Sequence, residues 1–365
     1  MHNTNLIIYY CINLFPSPQT GGELFYSKVL EDLKNKEDVT VILPDESDIN
    51  FLNRPKNALK INAYFIRRFT RLAKKAIILQ EGTFYHAFIL SNWFIRLFRK
   101  DIKIIVSFRQ IPSPRLKWGI NKLLRDVMLF LYVQSAHLLT VNSEYLSKEL
   151  SDNYKANKHK IKVVYSSSKV KNNQEKWKRK STNVVNILCV AHIRELKGQR
   201  YLIEALKQIE DYNWKCSLVG GVKEIEYEQE LRGLIEKYKL VDKVTLCGRL
   251  EGEALVQMYK DADIFVLPSL YEAYGVVIQE AMSFGIPIVA SNVGGIPEQL
   301  TNEREGILVA PADSEILAKA IRKLIVDSKL RCEMSQASFA KFSKLSSWDM
   351  VCEKFFQAVT KTFKG

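Results

Sequence analysis

The chain has 365 residues, 47% hydrophobic and 11% aromatic, enough for two packed cores and incompatible with a disordered chain. Its net charge of +14 sits wholly in the first half: residues 1–180 hold 31 Lys and Arg against 15 Asp and Glu, and the remainder 23 against 25. The six cysteines form no CxxC pair and have no metal-ligand spacing, which argues against a structural metal and fits a reduced, cytoplasmic compartment.

The opening MHNTNLIIYYCINLF lacks the basic start, apolar core and small-residue cleavage site of a signal peptide, and Leu6–Ile12 reads as a first buried strand. The loop FPSPQTGG (15–22) follows, then a helical pattern over Glu23–Lys34 and a strand over Val39–Leu43. Ala76–Gln80, Lys103–Ser107, Leu138–Asn142 and Lys162–Tyr165 continue the strands, with helical runs between several of them. The longest apolar run, Val127 to Val133, is seven residues and too short to cross a bilayer. The polar, basic stretch 166–182 (SSSKVKNNQEKWKRKST) marks an interdomain connection. The expected organisation is a first domain over 1–170, a linker over 171–182, a second domain over 183–345, and a C-terminal helix in 346–365 that returns to the first domain.

The second half repeats the alternation. Strands are expected at Val184–Val190, Lys215–Val219, Val244–Cys247, Ile264–Leu267, Pro287–Ala290 and Gly306–Val309. Helices are expected at Gln199–Ile209, Glu224–Lys239, Ala254–Lys260 and Val276–Phe284, and from Ser314 onward. Strands alternating with helices build βαβ units, so the fold class is α/β: two Rossmann-like, doubly wound domains in tandem, facing a central cleft. Ligands of such sheets bind at the carboxyl ends of the strands.

Residues 261–300, DADIFVLPSLYEAYGVVIQEAMSFGIPIVASNVGGIPEQL, are the most informative. The strand Ile264–Leu267 ends at Pro268-Ser269, a short loop delivers Glu272, and Gly275 opens a helix that carries Glu280. A glycine at a helix start admits close approach to free N–H groups at the positive end of the dipole, which suits a diphosphate. One carboxylate before that point and one on the helix can accept hydrogen bonds from hydroxyls on either side of it, the layout of a sugar nucleotide. Asp261 and Asp263 invite reading as a metal-binding DxD, but they sit at the boundary between a helix and a buried strand with no further carboxylates, so no metal is expected.

The pattern PSxxExYGxxxxEAMxxGxPIVAxxVGGxPE resembles the donor site of the group 1 family of retaining glycosyltransferases, which have the two-domain GT-B fold. The resemblance implies that Glu272 contacts hydroxyls of the donor sugar, that Glu280 holds the ribose, and that the backbone of Ala273, Tyr274, Gly275 and Val276 lies along the donor and its phosphates. VAHIRELKGQRYLIEAL (190–206) resembles the family's strand, loop and helix that neutralise the leaving diphosphate, with Lys197 as the clamp. The family's Gly-Arg is Ala191-His192 here, so either Arg194 takes over the charge or His192 donates a single hydrogen bond. LVGG (218–221) and CGRL (247–250) resemble loops framing base and ribose, which makes Gly220 and Leu250 donor-binding candidates beside ordinary turn glycines. PSPQTGGE resembles the family's glycine-rich loop that reaches the donor phosphates and acceptor from the first domain, with Gly21 and Gly22 as its carriers. Where family members commonly have a histidine after the fourth strand, this chain reads SFRQIP, so Phe108 or Arg109 stands there. Arg109 is the acceptor-side candidate, and His86 and His137 are alternatives for the missing histidine.

Between Asp48 and Glu81 there is no acidic residue, while Lys56, Lys60, Arg67, Arg68, Arg71, Lys74 and Lys75 alternate with Leu59, Tyr64, Phe65, Phe69 and Leu72. Residues 93–100 and 115–118 repeat that mixture. It suits an anionic membrane surface, where each nearby cation adds roughly 1 kcal/mol, and no nucleic-acid module is present. The expected function is metal-independent transfer, without a cofactor, of a hexose-type sugar from a nucleotide diphosphate sugar to a saccharide or lipid-linked acceptor, with anomeric retention. UDP is favoured and GDP is the other option. The expected location is cytoplasmic, peripheral at the inner membrane face, in cell-surface glycan synthesis. A sugar-nucleotide epimerase of the same architecture and a non-catalytic basic membrane or nucleic-acid binder are the alternatives.

Overall fold

The computed structural model describes residues 6–11, 21–36, 39–42, 63–67, 70, 76–82, 85–111, 122–168 and 183–364. Most of the basic tract between Asp48 and Glu81 and all of residues 115–118 lie outside them, as does the loop before Gly21. The chain divides into two compact units, one of Met1–Ser166 with Ser346–Gly365, the other of Ser167–Leu345.

In the first unit, strands β1 (Leu6–Cys11), β2 (Val39–Ile42), β3 (Ala76–Glu81), β4 (Lys103–Phe108), β5 (Leu138–Val141) and β6 (Ile161–Val163) form one sheet in the order β2-β1-β3-β4-β5-β6, every pair parallel. Ala76–Gln80 of β3 and all of β5 are buried, as apolar runs covered on both faces by crossover helices must be. The helix Trp348–Lys364 belongs to this unit, and its Phe355 ring meets Phe25 edge-on at 5.6 Å. A buried polar triad fastens the helix Tyr85–Phe98: Asn92 and Gln80 exchange hydrogen bonds of 2.8 and 2.9 Å, and Asn92 donates to Ser135 Oγ at 3.0 Å.

In the second unit, β7 (Val185–Val190), β8 (Trp214–Val219), β9 (Val244–Gly248), β10 (Ile264–Leu267), β11 (Ile288–Ser291) and β12 (Gly306–Val309) are again all parallel, in the order β12-β11-β10-β7-β8-β9. Winding outward from β7 in both directions puts the reversal of strand order between β7 and β10. One apolar cluster, including Trp214 and Leu231, lies on one side of the strands, and a second, including Tyr259, Ile278 and Met282, on the other. The helical region after Ser314 is three helices, Ser314–Val326, Ser328–Phe342 and Trp348–Lys364. Asp327 makes the first break: it ends one helix and caps the next, its carboxylate accepting from Leu330 N at 2.9 Å.

His137 stands just before β5, its Nδ1 accepting the Ile104 N–H at 3.0 Å. Burial, with Arg96, Lys103 and Lys160 nearby, holds its pKa down to about 4 against an ordinary 6.5. The unfolded chain therefore binds this proton between pH 6.5 and about 4 and the folded chain does not, so stability falls as the pH drops through that window. We expect His137→Asn, which keeps an acceptor for Ile104 N–H and cannot titrate, to lose less stability than wild type across that range. Urea midpoints at a series of pH values measure the difference.

Candidate active site

At the switch between β7 and β10 the loops after the two strands lie side by side. Glu195–Lys197 forms a single 3-10 turn after β7, and Gly198 (φ 66°) then starts the helix Gln199–Lys207. A Cβ on Gly198 would lie 2.1 Å from the Pro268 carbonyl oxygen, so only glycine permits this approach of the β7 loop to the end of β10. Leu270 N donates to Leu196 O at 2.9 Å and ties the two loops together. The Lys197 ammonium and the Glu272 carboxylate consequently meet in an ion pair, their side chains 21% and 13% exposed.

Glu272 is fastened from its other side. Gly295 N donates to its carbonyl at 3.1 Å, and a Cβ on Gly294 (φ 56°) would come within 1.7 Å of that same oxygen. Three residues on, Gly275 (φ 86°) is the N-cap of the helix Val276–Ser283 and, having no side chain, makes no side-chain cap bond to the first N–H groups. Gln299 donates to the Tyr274 carbonyl and, at 3.3 Å, to the Gly275 carbonyl, while Gln279 donates to the Tyr274 hydroxyl at 2.8 Å. Ala273 and Tyr274 are buried, Val276 half-buried. The Ser269 hydroxyl, also buried, makes no hydrogen bond among the described residues.

Glu280 lies on the same helix and accepts from the Tyr259 hydroxyl at 2.7 Å. Tyr259 is stacked on Phe284 (5.4 Å, 3° between planes), and burial, assisted by the Glu280 charge, pushes its phenol well above the ordinary range. Tyr259 therefore stays protonated and donates, holding Glu280 in place. On the β7 side, the His192 carbonyl accepts from Gln199 at 2.9 Å, and its imidazole stands beside Gly221. Arg194 turns to Glu224 at 3.7 Å, and Glu224 also accepts from Glu195 N at 2.8 Å. Gly220 passes so close to Ala191 that a Cβ would sit 1.9 Å from its oxygen, and Leu250 packs half-buried against the cluster around Tyr259. The loops after β7 and β10 thus bring Lys197, Glu272 and Gly275 together, while His192 stands beside Gly221, Gly220 against Ala191, and Arg194 faces Glu224.

In the first unit, Gly21 and Gly22 are the first residues of the helix Gly21–Lys34. Phe108 is core: its ring occupies the space a Cβ on Gly82 would need. Arg109 is 6% exposed, its guanidinium 3.2 Å from the Phe25 ring centroid and donating to Val164 O at 2.7 Å. His137 is at the amino end of β5, away from the carboxyl ends, and the His86 side chain lies outside the described residues. Asp263 accepts from Asn186 N at 2.9 Å and Asp261 from Gln257 at 2.8 Å. Tyr259 and Gln299 were not singled out from the sequence, which marked Gly294-Gly295 only as a second glycine-rich turn.

Residues 170–341 match the family model described as glycosyl transferases group 1. An uncharacterized glycosyltransferase of Methanocaldococcus jannaschii is 26% identical over 378 residues, 93% of this chain and 94% of that protein. The putative colanic acid biosynthesis glycosyltransferase WcaL of Escherichia coli is 34% identical over 147 residues, which cover 38% of this chain and 35% of that one. Among solved structures, Anabaena HepE in complex with UDP-glucose superposes over 98% of this chain and 100% of its own with TM-score 0.77 at 19% identity, a likeness of fold.

The glycine contacts give a test of how the site is held. Gly294→Ala must push the Glu272 loop away and strain a positive φ, and we expect it to cost more than about 1 kcal/mol. Gly233→Ala, on an exposed helix face with nothing within 4 Å, should instead gain up to about 1 kcal/mol. Chemical denaturation of the two variants checks the opposite signs.

Proposed function

We propose that the chain, which has the GT-B fold and matches the group 1 glycosyl transferases over residues 170–341, transfers a hexose-type sugar from a nucleotide diphosphate sugar with retention of anomeric configuration. The observation that carries the reading is the Lys197–Glu272 pair set next to the uncapped start of the helix Val276–Ser283. In this reading the diphosphate lies against the helix start, where the N–H groups and the dipole favour negative charge. Lys197 shares its proton donors between Glu272 and the phosphate, and the Glu272 carboxylate accepts from hydroxyls of the hexose. Glu280, oriented by Tyr259, receives the ribose hydroxyls.

As the anomeric bond breaks, negative charge collects on the leaving nucleotide. Lys197 and the helix start are already fixed to receive it, so no reorganisation is needed and fixed cations do the work expected of a metal elsewhere. The acceptor hydroxyl attacks from the face the diphosphate leaves. UDP is our preferred nucleotide, in keeping with the UDP-glucose in the Anabaena structure, and the likeness to WcaL supports a role in cell-surface glycan synthesis.

An acceptor at an anionic membrane face is supported by the helices Tyr85–Phe98 and Lys122–Ser135, which pack on each other. They leave Leu97, Phe98 and Leu123 exposed at 65%, 69% and 72%, beside exposed Lys100 and Lys122. No helix among the described residues is long and apolar enough to cross a membrane. Leu97→Ser with Leu123→Ser should weaken sedimentation with phosphatidylglycerol vesicles about tenfold, an affinity change of about 1.4 kcal/mol, without altering UDP affinity.

Glu272→Ala and Lys197→Ala should each lower transfer by at least about 100-fold while the protein still melts cooperatively. Transfer from UDP-sugars to a panel of saccharide and lipid-linked acceptors, with anomeric configuration read by NMR, measures this. Near-normal rates in both variants, or donor consumption that needs no acceptor, would overturn the proposal.

A further inference from the structure

The first unit carries a second concentration of charge, at the amino ends of its strands and so at the opposite edge of the sheet from Gly21, Gly22 and Arg109. The starts of β5 and β6 and one face of the helix Trp348–Lys364 line an open hollow of about 430 Å³. Of the ten residues lining it, six are cationic or imidazole (His137, His159, Lys160, Lys162, Lys354 and Lys361) and none is acidic. Lys354 and Lys361 are two turns apart on the helix and so share its face toward the hollow.

Such a cluster repels itself unless neighbouring carboxylates balance it, and here they do not. None of the four lysines forms an ion pair with a carboxylate among the described residues. Lys354 bonds Ser346 Oγ at 3.2 Å, and Lys160 reaches the Ala136 carbonyl at 3.5 Å. Glu353, next to Lys354 in the chain, is turned to Lys36 at 3.4 Å and Gln357 at 2.9 Å. Arg96 donates to the same Ala136 carbonyl and adds charge behind His137. His137 accepts the Ile104 N–H through Nδ1, so the proton of its neutral ring is on Nε2 and makes it a further donor. Clustered ammonium groups of this kind hold phosphoryl oxygens as point charges.

We propose that this hollow is a binding site for an anion carrying two or more phosphoryl charges, distinct from the nucleotide-sugar site. The same chemistry is offered by a soluble pyrophosphate-type anion and by a phospholipid headgroup, and the test has an arm for each. Inorganic pyrophosphate is titrated into the full chain by calorimetry at low ionic strength, and vesicles containing phosphatidic acid are sedimented with it. Lys162→Glu with Lys361→Glu reverses two exposed charges of the site. Lys237→Glu with Lys329→Glu makes the same net change on exposed lysines of the second unit.

At least a tenfold loss of saturable pyrophosphate binding in the first variant alone supports the site with a soluble ligand. The same selective loss seen only with vesicles supports it with a headgroup. Lys162→Gln with Lys361→Gln should give an intermediate loss, and UDP affinity, which reports the donor site separately, should be unchanged throughout. Absence of binding to both probes, or binding that both charge-reversed variants weaken equally or neither weakens, would overturn the proposal.

Discussion

The ion pair between Lys197 and Glu272 joins side chains 75 positions apart and is the constraint on which the second unit's site depends. Neither charge is fully in water, so each needs the other, and the loops after β7 and β10 must approach until backbone touches backbone. Gly198 against Pro268 and Gly294 against Glu272 are the two places where a side chain would forbid that approach. Gly275 completes the set by turning the chain through a left-handed conformation into a helix whose start faces the pair. Sheet order, glycine placement and charge pairing serve the same geometry.

Much of the fold was legible because each buried parallel strand is a short apolar run with polar or turn residues on either side. Ile264–Leu267 and Gly306–Val309 were read to the residue. Other boundaries moved for local reasons. The helix expected through Ile209 ends at Lys207, and the Ile209 carbonyl is taken by Trp214 Nε1 at 2.7 Å. Trp214 begins β8 although the pattern started at Lys215, because it pairs with Val185 in register and is buried. The C-terminal helix was expected at 346–365 and runs over Trp348–Lys364, whereas the break at Asp327, made by a single capping hydrogen bond, was not placed. Strand order, and with it the switch between β7 and β10, is a property of long-range pairing that no local pattern carries.

The candidate site divides along the same line. Glu272, Gly275 and Glu280 were candidates because loop and helix carboxylates about a glycine at a helix start are a local pattern with a chemical reason, and Lys197 was one through the family resemblance; the fold pairs Lys197 with Glu272. Tyr259 was not, since an aromatic residue on an apolar helix face reads as core, and only the fold shows its hydroxyl reaching Glu280. Gln299 likewise looks like an ordinary helix-end polar residue until it is found on the carbonyls of Tyr274 and Gly275. Arg109 shows the converse: a cation in a promising sequence position is stacked on Phe25 and bonded to Val164. Asp263, which resembled part of a metal motif, fastens the start of β7 through Asn186.

The return of the helix Trp348–Lys364 to the first unit has a consequence for biosynthesis. The chain leaves that unit at Ser166 and rejoins it only at Ser346, so everything between is translated first. The apolar surface that Phe355 and Val359 cover, including Phe25 and Leu33, stays uncovered on the ribosome while the second unit is made. The second unit, contiguous in sequence, can complete its sheet before the first one closes. The half of the protein synthesised first is therefore the half that finishes folding last, with an open core awaiting its final helix.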